Sequence, residues 1–198
     1  RHVRCLVLPL RDDFMREYRG IELDLEFLDL LFDVIYEGVE AVVSTGEPAD
    51  SRLTARKLGH FQMVLVASPE YLAAHGTPRN VQDLQSHRCL HFRWPHSGKL
   101  EAWPLTPGAD GEPPTVPVSM VCNNIETRAC FALQGRGIAC LPDFAIREPL
   151  ADGRLVRVMP GQAQREGVFH ILWPAGRHVA PKVRALVDYL CARVFAFT

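Results

Sequence analysis

The sequence predicts an α/β fold of two lobes with a central cleft, and three observations carry that prediction. The first is a pair of short apolar runs, residues 40–45 and 138–141, which stop at Gly46-Glu47-Pro48 and at Pro142. Runs of this length and character suit parallel strands buried on both faces. The second is helical spacing beside them. Leu28, Leu31, Phe32 and Ile35 precede the first run and Gly38 stops them; residues 123–134 precede the second, with Gly135 and Gly137 after them. The third is a pair of breaks near residues 67–69 and 160–167, read as crossovers. Two crossovers make the middle segment a lobe inserted into the other, so residues 1–67 with 163–198 form one lobe and residues 68–162 the second. Two lobes joined by two connections are the architecture of a hinge-closing small-molecule binder.

A chain of 198 residues suits this size. Hydrophobic residues make up 47% and charged residues 23%, which is globular composition. The net charge of −1 lacks the basic footprint of a nucleic-acid-binding surface, and no polybasic segment points to a membrane. No apolar run reaches the roughly 18 residues of a membrane span. The opening Arg1-His2-Val3-Arg4 is too charged for a signal peptide. Cys5, Cys89, Cys122, Cys130, Cys140 and Cys191 form no C-x-x-C pair, and they sit mostly in apolar contexts. They are expected to be reduced and buried, in a cytoplasmic protein. The abrupt start is expected of a fragment of a longer chain.

Taken in order, Leu10, Phe14 and Tyr18 recur every fourth residue and predict a helix over 8–18. Residues 21–27 alternate apolar and acidic, which predicts a strand with one acidic face. The run 40–45 is followed by strands at 53–58 and 62–67, turning at Gly59. Ser68-Pro69-Glu70 opens a helix: serine caps it, proline takes the first position, and glutamate sits in the first turn. Gly76 ends it. A short helix is expected at 81–86, a strand at 89–93, a loop carrying a hairpin at 95–117, and a strand at 115–121. After the second apolar run come a helix at 144–150 and strands at 155–159 and 168–173. The last helix starts at Pro181 and aligns Val183, Leu186, Val187, Leu190 and Val194 in one stripe.

The candidate binding residues lie where strands end, because ligands of open α/β sheets sit outside the carboxyl ends of strands. Thr45 offers a hydroxyl there and Gly46 lets a ligand approach the backbone, although ordinary turn chemistry explains both as well. Pro142 and Phe144 follow the second apolar run. Arg93 and Trp94 follow the 89–93 strand and offer a cation and a flat apolar wall; a surface arginine and a packed tryptophan are the plainer reading. Asn123 with Glu126 makes a capping box. The free N–H groups of such a helix start favour an anion. His87, Cys89 and His91 point the same way on a strand. They spread over ~13 Å, too far for one zinc ion to bond all three, so neither metal nor cofactor is expected. No nucleophile elbow or phosphate loop occurs, which argues against an enzyme.

In order and spacing, several runs together resemble one family. They are Thr45-Gly46-Glu47-Pro48-Ala49-Asp50-Ser51-Arg52-Leu53, Val66-Ala67-Ser68-Pro69-Glu70-Tyr71-Leu72, Gly135-Arg136-Gly137-Ile138-Ala139-Cys140-Leu141-Pro142, and the closing Pro181-Lys182-Val183-Arg184-Ala185-Leu186. Nearly the whole chain resembles the effector-binding (substrate-binding) domain of LysR-type transcriptional regulators. The resemblance implies a type 2 periplasmic-binding-protein-like fold with a small-molecule effector between the lobes. It also implies a homo-oligomer, dimer or tetramer, and promoter DNA bound through an N-terminal winged helix-turn-helix that this sequence does not contain. The turn at Asn123 and Asn124 is expected to face the cleft, with Ser44 standing where the family frequently has arginine. A carboxylate or aromatic compound is the expected effector. A solute-binding protein of the same fold is the alternative, and a two-lobed α/β enzyme a further one.

Overall fold

The computed structural model describes residues 4–25, 38–45, 52–95, 97–107, 112–163, 165–176 and 179–194. In chain order its elements are α1 (Arg4–Glu17), β1 (Val42–Thr45), β2 (Leu53–Ala67), α2 (Pro69–His75), β3 (Cys89–Phe92), β4 (Met120–Cys122), α3 (Ile125–Leu133), β5 (Ile138–Pro142), α4 (Arg147–Ala151), β6 (Val156–Arg157), β7 (Glu166–Pro174) and α5 (Pro181–Arg193), with 3-10 turns at Gln82–Ser86 and Asp143–Ile146. Two compact units result. One comprises residues 1–61 and 167–198, the other residues 62–166.

In the first unit β1 pairs antiparallel with β7, Val42 opposite Leu172 and Thr45 opposite Phe169, and β7 lies next to β2. The helices α1 and α5 meet through aromatic side chains. Phe14 stacks on Tyr18 at 4.8 Å and meets the edge of Tyr189 at 5.0 Å. The Tyr189 hydroxyl donates to the carbonyl of Leu10 at 3.2 Å, so the phenol's polar end is satisfied inside the contact. The stripe of α5 buries Val183, Val187 and Leu190.

In the second unit β2 is central, pairing antiparallel with β5 on one side and β6 on the other. Beyond β5 the sheet turns parallel: β5 neighbours β3, and β3 neighbours β4. Strands β3 and β5 are buried along their whole length, as is the Met63–Ala67 end of β2, as parallel or central strands covered on both faces must be. Ile125, Ala129 and Ala132 of α3 pack on Val64, Val66, Leu90, Ala139 and Leu141. Two alanines in that stripe let the helix come close to the sheet.

The Ser68 hydroxyl caps α2 by accepting from the Tyr71 amide at 3.2 Å, with Pro69 at the first position. Tyr71, 1% exposed, then pins the start of β3. Its hydroxyl accepts from the Arg88 amide at 2.8 Å and shares a hydrogen bond with His87 Nδ1 at 3.2 Å.

Several expected features differ. The run at 40–45 does form a strand, but it is antiparallel to β7 and half-buried, with Thr45 exposed. Four apolar or small residues do not distinguish one covered face from two. Residues 21–25 carry no strand despite their alternation; the chain turns there instead, with the Ile21 amide donating to the Tyr18 carbonyl at 3.0 Å. The rest of that expected strand, 26–27, and the helix over Leu28–Ile35 lie outside the described residues. Gly59 makes no turn, and β2 runs through it unbroken from Leu53 to Ala67. The strand expected over 115–121 begins only at Met120.

Candidate functional site

Parallel strands β3, β4 and β5 end at Phe92, Cys122 and Pro142. Their carboxyl ends lie together in the second unit, beside the point where β2 enters it: the Gln62 amide donates to Asp143 Oδ1 at 3.2 Å. This is the position where open α/β sheets hold ligands.

All the candidate residues but Gly46 lie among the described residues. Asn123 is exposed, in the turn between β4 and α3. The cap of α3 is Asn124, whose Oδ1 accepts from the Thr127 amide at 2.8 Å and the Thr127 hydroxyl at 3.1 Å. The capping box expected at Asn123 is therefore shifted by one residue, because Asn124 has the extended backbone of a cap. Pro142 is buried, as is Phe144 at 5% exposure. Arg93 is exposed and turns back on its own hairpin. It bridges to Leu100, and Nη1 donates to the Gly98 carbonyl at 2.9 Å. Trp94 is 41% exposed and meets the edge of Phe92 at 5.1 Å. In the first unit Thr45 closes β1, exposed, while Gly46 lies outside the described residues.

Behind these residues lies a buried polar group that sequence reasoning missed. Arg128, 1% exposed, extends from α3 beneath the strand ends. Nη1 donates to the Cys140 carbonyl at 3.0 Å, and the guanidinium lies over the Phe92 ring at 4.9 Å. Glu101 stands 3.8 Å from Arg128 and 3.6 Å from Arg165. Burial raises the Glu101 carboxyl, with the two arginines pulling the other way. Burial likewise lowers the Arg128 guanidinium, against Glu101. Arg128 follows Ile125 by three residues and precedes Ala132 by four. A charged residue in the middle of an apolar stripe was the signal available.

His91 and Trp103 stack nearby at 5.2 Å. The Pro117 carbonyl can only accept, so His91 Nε2 carries the proton that bonds it at 2.9 Å. Burial first, and Arg128 after it, lower the His91 ring's proton affinity, opposed by the bond to Pro117. His87 Nδ1 is held by Tyr71 and His91 Nε2 by Pro117, while the buried His91 Nδ1 has no hydrogen-bond partner among the described residues. No group of three or more potential metal ligands occurs among the described residues. An open depression of about 430 Å3 between β2 and the 157–166 segment is lined by Gln62, Arg157, Arg165 and Glu166 among others, and by none of the candidate residues.

The family model for the LysR substrate binding domain matches residues 3–194. The chain belongs to that family, and its fold is the type 2 periplasmic-binding-protein-like α/β fold. The HTH-type transcriptional regulator CrgA of Neisseria meningitidis serogroup C is 32% identical over 186 residues, 93% of this chain and 61% of that protein. The solved regulatory domain of CrgA superposes with a TM-score of 0.79 at 30% identity, over 96% of this chain and 92% of that one. The full-length Vibrio cholerae virulence activator AphB superposes with a TM-score of 0.79 at 27% identity, over 97% of this chain and 65% of that one. The chain thus spans about three fifths of the curated relatives it matches. Among the described residues, no helix is long and apolar enough to cross a membrane.

Proposed function

We propose that this chain is the effector-binding and oligomerising domain of a LysR-type transcriptional regulator, a cytoplasmic protein that senses a small molecule and performs no catalysis. The match of the LysR substrate binding domain across residues 3–194 carries this reading. The curated relatives named as helix-turn-helix regulators support promoter DNA as the partner of the whole protein, reached through a part outside this sequence. In this reading the two units are the two lobes. The effector contacts the strand ends of the second through Asn123, Asn124, Pro142, Phe144, Arg93 and Trp94, and the β1 end of the first through Thr45 and Gly46. An effector that binds one arrangement of the dimer better shifts the population toward it and so changes how the DNA-binding parts engage the promoter. The shift cannot exceed the difference in affinity for the two arrangements.

The test is a titration of the full-length protein on promoter DNA with and without metabolites. A ligand-dependent change in promoter binding, with no turnover of the ligand, is the expected result. A parent gene encoding no helix-turn-helix, or steady consumption of the ligand, overturns the proposal.

A further inference from the structure

A guanidinium with five N–H donors is costly to bury unless each finds an acceptor or a counter-ion. Arg128 is 1% exposed, yet among the described residues it makes one hydrogen bond, to the Cys140 carbonyl at 3.0 Å. Its Nε–H has no acceptor among the described residues. Its counter-ion, Glu101, stands 3.8 Å away, outside hydrogen-bond range, and is shared with Arg165 at 3.6 Å. The Phe92 ring beneath it offers attraction but no acceptor. This under-satisfied cation lies one turn inside α3, which only Asn123 and Asn124 separate from the end of β4 at Cys122. A helix start alone would say little; a buried arginine with an unfilled donor beside it asks for an anion.

We propose that Arg128 is the anion anchor of the second unit, and that Glu101 is the internal counter-ion which a small carboxylate effector displaces. The inference rests on the reading of the chain as an effector-binding domain and deepens it by naming the ligand class and its anchor. A carboxylate matches the planar fork of a guanidinium in a way that Glu101, at its present distance, does not. Displacement leaves no bare charge behind, because Glu101 keeps Arg165, whose side chain is 56% exposed and able to follow it. Arg165 directly precedes β7, and its carbonyl accepts from the Met63 amide of β2 at 2.9 Å. A shift of Glu101 toward Arg165 therefore acts on the segment that carries the chain out of the unit.

The test is calorimetric titration of the protein with benzoate and with benzamide, its neutral counterpart of the same shape. Wild type is expected to prefer benzoate. Glu101→Gln, which removes the competing carboxylate and keeps the side chain's size, is expected to bind benzoate roughly tenfold more tightly while benzamide is unchanged. Arg128→Met is expected to lose the preference. Glu101→Gln carries the decision if Arg128→Met fails to fold. Equal tightening for both ligands, no tightening, or no benzoate binding by either wild type or Glu101→Gln overturns the anchor. If the anchor falls while the full-length protein still answers a neutral metabolite on promoter DNA, the effector-domain reading stands alone.

Discussion

Tyr71 shows how much one buried side chain can hold. Its hydroxyl accepts from the Arg88 amide and shares a hydrogen bond with His87 Nδ1, tying α2 to the start of β3. Tyr71→Phe keeps the ring and leaves that amide and ring nitrogen short of partners. A loss of roughly 1–3 kcal/mol in unfolding free energy is expected, read as a lower urea midpoint with unchanged slope. The cysteines give a second test. Burial pushes the Cys89 and Cys140 thiols up to about 12, whereas Cys130 is exposed. Since the thiolate is the reactive form, a thiol reagent at mildly alkaline pH should modify Cys130 rapidly, and Cys89 and Cys140 at the rate of unfolding. Equal labelling of the three in the native protein would show that the strands open locally.

The elements were legible where local chemistry decides them. Ser68-Pro69 marked α2 and Pro181 marked α5 because caps and first-turn prolines act over a few residues. The start of α3 needed backbone angles, since Asn123 and Asn124 are equally good caps by composition. Asn124→Ala is expected to cost about 1 kcal/mol and Asn123→Ala close to nothing, as measured by chemical denaturation; equal effects would return the cap to Asn123. Gly137, between α3 and β5, has φ of 154°, and an added Cβ would lie 2.5 Å from the Arg88 carbonyl oxygen. That oxygen accepts the Ile138 amide at 2.8 Å, so it cannot retreat without loosening the β3–β5 contact. Gly137→Ala should destabilise by at least ~1–3 kcal/mol. Gly20→Ala, with open space around it and no such backbone angle, should do nothing comparable.

At the scale of the molecule, two sets of buried groups bound the pH range of stability. Burial lowers the proton affinity of His87 and His91. A lowered folded value means stability is present above the ordinary histidine value of 6.5 and lost as pH falls through the folded value. Cys89 and Cys140 run the other way: their stabilisation is complete below the ordinary value of 9.0 and is lost as pH rises toward about 12. Glu101, raised by burial, opposes the histidines only further into acid, near and above its ordinary 4.5. Unfolding midpoints should therefore be highest between about pH 6.5 and 9. His91→Gln should flatten the acid side and Cys89→Val the alkaline side. A profile unchanged by either variant would refute the assignment.

What followed from the chain alone was what neighbours in sequence decide: helix starts, the buried run of β5, the residues that end strands, and a family pattern that depends on order and spacing. Partnership between distant segments did not follow. The run at 40–45 has the composition of an interior parallel strand, yet its partner is β7, from the far end of the chain. Residues 21–25 alternate well but form no strand. Gly59 has the look of a turn, yet β2 runs through it unbroken from Leu53 to Ala67. Arg128 is the clearest case. Its helix spacing places it among core residues, but the stabilisation of a buried cation by Phe92, Cys140 and Glu101 joins four separate segments. Hydrophobic period and capping act over a few residues and can be read locally; desolvation and charge pairing depend on what folding brings together, and only the tertiary structure decides them.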